Sequence, residues 1–98
     1  AVTVPFAARA DSPQEKRRER YADRIENAFK RHSILARFDL DADAKGERTG
    51  YIEIEGRVRN ASQRNRAVAL ARRVAPGYRI VNRIQISSRA GRFDDDDD

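Results

Sequence analysis

Tyr51-Ile52-Glu53-Ile54-Glu55-Gly56-Arg57-Val58 alternates apolar and charged side chains, the period of two that marks a strand with one buried face. Ile52, Ile54, Gly56 and Val58 share one side. Tyr51, Glu53, Glu55, Arg57 and then Arg59 share the other. A glycine inside a strand signals a bulge or a close neighbour, and here the expected neighbour is a helix lying on the sheet. Upstream, Phe38, Leu40 and Ala42 alternate with Arg37, Asp39 and Asp41, which predicts a first half-buried strand. The turn formers between Asp43 and Gly50 join the two strands as a hairpin.

Downstream, Asn60 and Ser62 are both possible N-caps for a helix whose apolar stripe is Ala67, Leu70, Ala71 and Val74. The stripe is narrow and built mostly from small side chains, so this helix can lie close to a sheet. Pro76-Gly77 ends it. Tyr78 to Ser87 predicts a third strand with Ile80, Ile84 and Ile86 inward and Asn82 breaking the pattern. At the other end, Ser12-Pro13-Gln14-Glu15 is a capping box with proline at the first helical position. Tyr21, Ala22, Ile25, Ala28 and Phe29 follow at helical spacing, and Lys30, Arg31 and His32 close the helix where cations suit its dipole. The spacing predicts helix 1 over residues 13–31.

The order is α-β-β-α-β, with one apolar and one charged face on every strand. Both helices must then cover the same side. The fold class is α+β: a two-layer sandwich with a small mixed three-stranded sheet, because the crossover through the second helix allows strands 2 and 3 to run parallel. The open face is expected to carry Asp39, Asp41, Glu53, Glu55, Arg57, Arg83 and Gln85. Residues 1–11 read as an extended arm, 12–87 as the folded domain and 88–98 as a disordered tail ending in an acidic run. Ninety-eight residues suffice for one domain.

The formal charge of +5 conceals an asymmetry. Asp94–Asp98 hold five of the sixteen acids, so residues 1–93 alone come to +10. Between Arg57 and Arg92 there are ten arginines and no acid. Such a block attracts anionic surfaces: phospholipid, nucleic acid, glycan or acidic protein. The candidate binding residues are Arg64, Arg66, Arg72, Arg73, Arg79 and Arg83, with Gly56 and Gly77 as structural glycines.

Nothing in the sequence assembles a catalytic group. The lone histidine, His32, has no base or second ligand near it in sequence and reads as a cap or a half-buried ring. The serines sit at caps and turns without a nucleophile-elbow pattern. The strand carboxylates read as a solvated face balanced by arginines across the strands. With no cysteine, thiolate metal sites and thiol nucleophiles are excluded, and no catalytic, metal or cofactor residues are assigned. A type II KH domain shares much of this element order, but its Gly-x-x-Gly loop between helices is missing. The open face offers only Tyr51 where base stacking needs several aromatics. Sequence-specific nucleic-acid recognition is therefore not expected. No stretch approaches the ~20 apolar residues of a spanning helix.

The stretch Ile25 to Ile86 resembles the BON domain family, a module of bacterial envelope proteins. The resemblance rests on Ile25-Ala28-Phe29, on Tyr51–Val58 with its Gly56, on Ala67–Val74, and on Pro76-Gly-Tyr-Arg-Ile-Val-Asn-Arg-Ile84 with Gly77 and Asn82. Gly77 and Asn82 stand one residue closer together than in the family pattern. The resemblance implies an α-β-β-α-β fold, a periplasmic or envelope-associated location, no catalytic residues, and attachment to phospholipid or envelope components. With the arginine-rich half, the expected partner is an anionic membrane surface or an acidic envelope component. Similar folds build rings in bacterial secretion systems, so the alternative is a protein–protein assembly domain that pairs the acidic patch of one copy with the basic half of another.

Overall fold

A computed structural model describes residues 13–46 and 49–90. It contains α1 (Pro13–Arg31), a 3₁₀ turn (Leu35–Arg37), β1 (Asp41–Lys45), β2 (Tyr51–Val58), α2 (Ala61–Val74) and β3 (Ile80–Ile86). The expected cap at Ser12, the arm over 1–11 and the acidic run Asp94–Asp98 lie outside the described residues. The strands form one sheet in the order β1-β2-β3. β1 pairs antiparallel with β2, from Asp41 opposite Glu55 to Lys45 opposite Tyr51. β3 pairs parallel with β2, from Ile52 opposite Ile80 to Val58 opposite Ile86. The sheet is mixed, as the crossover through α2 requires.

The core lies between the helices and the inner face of β2. Ile25, Phe29, Leu35, Ile52, Ile54 and Val58 are its largest fully buried side chains, joined by Ala67 and Ala71 of α2. α1 packs over β1, α2 packs over β3, and the helices touch each other above β2. Small residues on α2 permit this close layering. Asn60 is the N-cap of α2, its Oδ1 accepting from the Gln63 N–H at 2.9 Å, while Gln63 Oε1 accepts from the Arg59 N–H. That is a capping arrangement with a return bond to the residue before the cap.

Three expectations about the sheet need correction. Phe38 and Leu40 are buried but precede the strand. The 3₁₀ turn and a tight bend, in which the Leu40 N–H donates to the Phe38 carbonyl at 3.1 Å, alternate side chains much as a strand would. β1 therefore starts at Asp41, and Asp39 lies outside it. The close neighbour of Gly56 is this bend and not a helix. Gly56 has φ +140°, and a Cβ built there would lie 2.6 Å from Leu40 Cδ2 and 2.8 Å from the Asp39 carbonyl oxygen. Finally, Ile86 stands on the inner side by register but is 46% exposed, since β3 runs past the cover of α2.

Gly77 has φ +90°. It follows Pro76 in a turn closed by the Tyr78 N–H on the Ala75 carbonyl at 3.2 Å, and a proline-glycine pair suits a type II turn, which needs positive φ at its third residue. Asn82 breaks the isoleucine pattern without interrupting the strand. It stays in register opposite Ile54, and its Oδ1 accepts from the Ile84 N–H at 2.9 Å. That N–H belongs to the outer edge of β3, where an unpaired donor would invite another strand. Residues 88–90, which the sequence reading places in the tail, form a turn instead. Ala90 is buried, its N–H donates to Ser87 and its carbonyl accepts from Arg59 Nε at 3.0 Å.

Candidate functional site

The fold divides the six candidate arginines into three pairs. Arg64 and Arg72 line a groove of ≈ 390 Å³ between α2 and β3, with Asn65, Val68, Ala69 and Asn82. Arg66 and Arg73 are exposed on the opposite flank of α2, the flank of Leu70, which stands four residues after one and three before the other. Arg79 and Arg83 lie on the open sheet face. Arg83 Nε donates to Glu53 at 2.6 Å, and the Arg79 guanidinium sits 5.9 Å from the centre of the Tyr51 ring. The open face is thus partly self-neutralised: Glu53, its side chain only 13% exposed, also faces Lys45 at 3.9 Å.

The sequence reading missed a second basic groove. Between α1 and α2, Arg24, Asn27, Ala28, Arg31, His32 and Leu70 line a groove of ≈ 470 Å³. Both grooves are open furrows of the surface and not enclosed pockets. Arg17, Arg24 and Arg31 recur every seven residues, and Arg20 stands four before Arg24, so these arginines share one flank of α1, of which Arg24 and Arg31 line the groove toward α2. Arg24 is steadied by the Tyr21 ring, 5.0 Å from its guanidinium, and Tyr21 in turn packs on Tyr78 at 5.0 Å. His32 serves the fold: its Nδ1 accepts from the N–H groups of Ile34 and Leu35 at 3.1 and 3.2 Å, as the capping reading expects.

α2 therefore lies between two grooves, each with two arginines, at least one asparagine and no acid among its lining residues. The acids of the domain collect elsewhere. Glu19, Asp23 and Asp43 line a groove between α1 and β1, at the sheet edge opposite β3. Next to it, partial burial pushes the Glu26 carboxyl above the ordinary carboxylate range. The Asp41 carboxylate pushes the same way through a shared hydrogen bond and through charge, while Lys30 and the Ala42 N–H oppose. Among the described residues, no group of three or more His, Cys, Asp or Glu side chains could hold a metal ion.

The Glu26 environment predicts a pH effect on stability. Its pKa is raised in the folded state, so the folded chain binds the extra proton, and stability falls as pH rises from the unfolded value through the folded one. Glu26→Gln removes that loss. We expect a higher Tm than wild type at pH 7 and no gain near pH 4, read by thermal denaturation. An equal shift at both pH values would show that the charge is not the cause.

A family model described as the BON domain matches residues 19–88, from the middle of α1 through the turn after β3. Neither the curated proteins nor the solved structures yielded a match. The matched span is well over half of the chain and contains all three strands, α2 and both arginine grooves. The chain belongs to the BON domain family, binding-type modules that occur in bacterial envelope and periplasmic proteins.

Proposed function

We propose that this BON domain is a non-enzymatic module that contacts anionic phospholipid at the bacterial envelope, through the arginine-lined grooves on either side of α2. The observation that carries this reading is the pair of acid-free grooves, which puts cations from both helices on one layer of the molecule. An anionic headgroup entering either groove meets two guanidinium groups, whose planar forks suit phosphate oxygens. Each arginine at an anionic surface adds about 1 kcal/mol. No described helix is long and apolar enough to cross a membrane, and the outer flank of α2 offers only Val68 and Ala69 beside its arginines. The contact is peripheral and therefore salt-sensitive.

Co-sedimentation with vesicles tests this. The protein should pellet with vesicles containing a substantial fraction of anionic phospholipid at ~50 mM salt, release at ~500 mM salt, and ignore neutral vesicles throughout. Absence of binding to anionic vesicles at low salt would end the lipid reading. One observation favours a second reading. The acidic α1–β1 groove and the basic α2–β3 groove occupy opposite edges of the sheet, which suits head-to-tail pairing of copies. Light scattering on the same samples separates the two: a mass that grows with protein concentration, without vesicle binding, favours assembly.

A further inference from the structure

Two grooves stand at opposite edges of the sheet, each between a helix and an edge strand. At the β1 edge, Glu19, Asp23 and Asp43 line a groove of ≈ 310 Å³ together with Ala22, Ala42 and Ala44, and no base joins them. At the β3 edge, Arg64 and Arg72 line theirs with Asn65, Val68, Ala69 and Asn82, and no acid joins them. Glu19, Asp23, Asp43 and Arg72 are exposed, and Arg64 is half-buried. Among the described residues, none of these five charges has an oppositely charged partner within ion-pair distance.

Backbone pairing between such edges is blunted on both sides. The Ala42 N–H on β1 is taken by the Glu26 carboxylate, and the Ile84 N–H on β3 by Asn82 Oδ1. An edge whose donors are occupied is a poor template for another strand, so contact between edges falls to side chains. Those side chains are complementary. Guanidinium forks suit carboxylates, Glu19 and Asp23 stand one turn apart on one flank of α1, and the small residues in both grooves leave room for long side chains to cross.

We propose that the α2–β3 groove is an interface for a second copy of this chain, seated by its α1–β1 edge, with Arg64 and Arg72 meeting carboxylates of the partner subunit's Glu19, the partner's Asp23 and the partner's Asp43. This rests on the head-to-tail reading above and names its residues; it is independent of the phospholipid reading. The two surfaces differ, so the contact is heterologous. Each copy keeps one edge free, and growth continues unless the rotation closes a ring. A contact made by a few exposed ion pairs is weak and salt-sensitive. Arg24 and Arg31 line the groove between the helices and stay uncovered.

Light scattering on the full chain and on two charge-reversed variants, E19R/D23R and R64E/R72E, tests the interface. At ~50 mM salt the wild-type mass should rise with protein concentration, and it should return to that of a monomer at ~500 mM salt. Either variant alone sets like charges against each other and should associate about tenfold more weakly. An equimolar mixture of the two should regain association, because each edge of one then meets opposite charge on the other. Net charge cannot mimic this pattern. Each reversal changes the charge by two units, so the wild-type +5 becomes +9 in E19R/D23R and +1 in R64E/R72E. Diffuse self-repulsion would make R64E/R72E associate more strongly, and two positive chains would not attract each other. Unchanged association of either variant would overturn the interface and assign the growth in mass to another surface. Loss in both variants without recovery in the mixture would also overturn it. A wild type that stays monomeric up to its solubility limit would overturn the interface and the head-to-tail reading together.

Discussion

Gly56→Ala is expected to lower folding stability by about 3–5 kcal/mol, combining the strain of a side chain in a glycine-only backbone region with overpacking. Gly56 sits at φ +140°, a region that L-residues rarely occupy. An added Cβ meets the Asp39 carbonyl oxygen at 2.8 Å and Leu40 Cα at 3.2 Å, and these are backbone atoms that cannot rotate away. The bend that carries them is fixed on both sides. Phe38 and Leu40 are buried, and β1 begins at Asp41 with its pairing to Glu55. On its other side Gly56 is opposite Ile84 of β3, so a shift of the strand would disturb the parallel ladder as well. A small domain has about 5–15 kcal/mol in total, so the variant should show a much lower urea midpoint and a measurable unfolded fraction at 37 °C. A loss below ~1 kcal/mol would mean that the bend relaxes and does not press on the strand.

Most of the fold was legible because burial on one side writes a period into the sequence. The 3.6-residue stripe of α1 and the two-residue alternation of β2 each left one reading. The start of β1 was not legible, because buried Phe38 and Leu40 alternate with exposed Arg37 and Asp39 in a turn as they would in a strand. Nor could Gly56 be assigned its neighbour, since a glycine signals a close contact without saying what makes it. The site was half legible. The acid-free run from Arg57 is visible by composition alone, whereas α1 interleaves four acids with its seven bases and shows no comparable acid-free block. Only the spacing separates them: Glu19, Asp23 and Glu26 turn toward β1, while Arg24 and Arg31 turn toward α2. The seven-residue recurrence of arginine was the available signal.

If the grooves are the binding surface, the variant R24Q/R31Q/R64Q/R72Q should lose nearly all affinity for anionic vesicles. Four arginines at about 1 kcal/mol each amount to about 4 kcal/mol, or close to a thousandfold. The matched control is R79Q/R83Q on the open face. Arg83 is already engaged by Glu53 at 2.6 Å and Arg79 lies over Tyr51, with Glu55 opposite Arg83, so this pair should change affinity less than about threefold. Net charge alone cannot produce that contrast, because diffuse attraction would make each removed arginine count alike. None of the four groove arginines is buried, and none has a described acidic partner within ion-pair distance, so the fold should survive, as circular dichroism would confirm. Equal losses per arginine in the two variants would show a domain attracted by charge at large. A loss confined to the open-face variant would move the binding surface to the exposed side of the sheet.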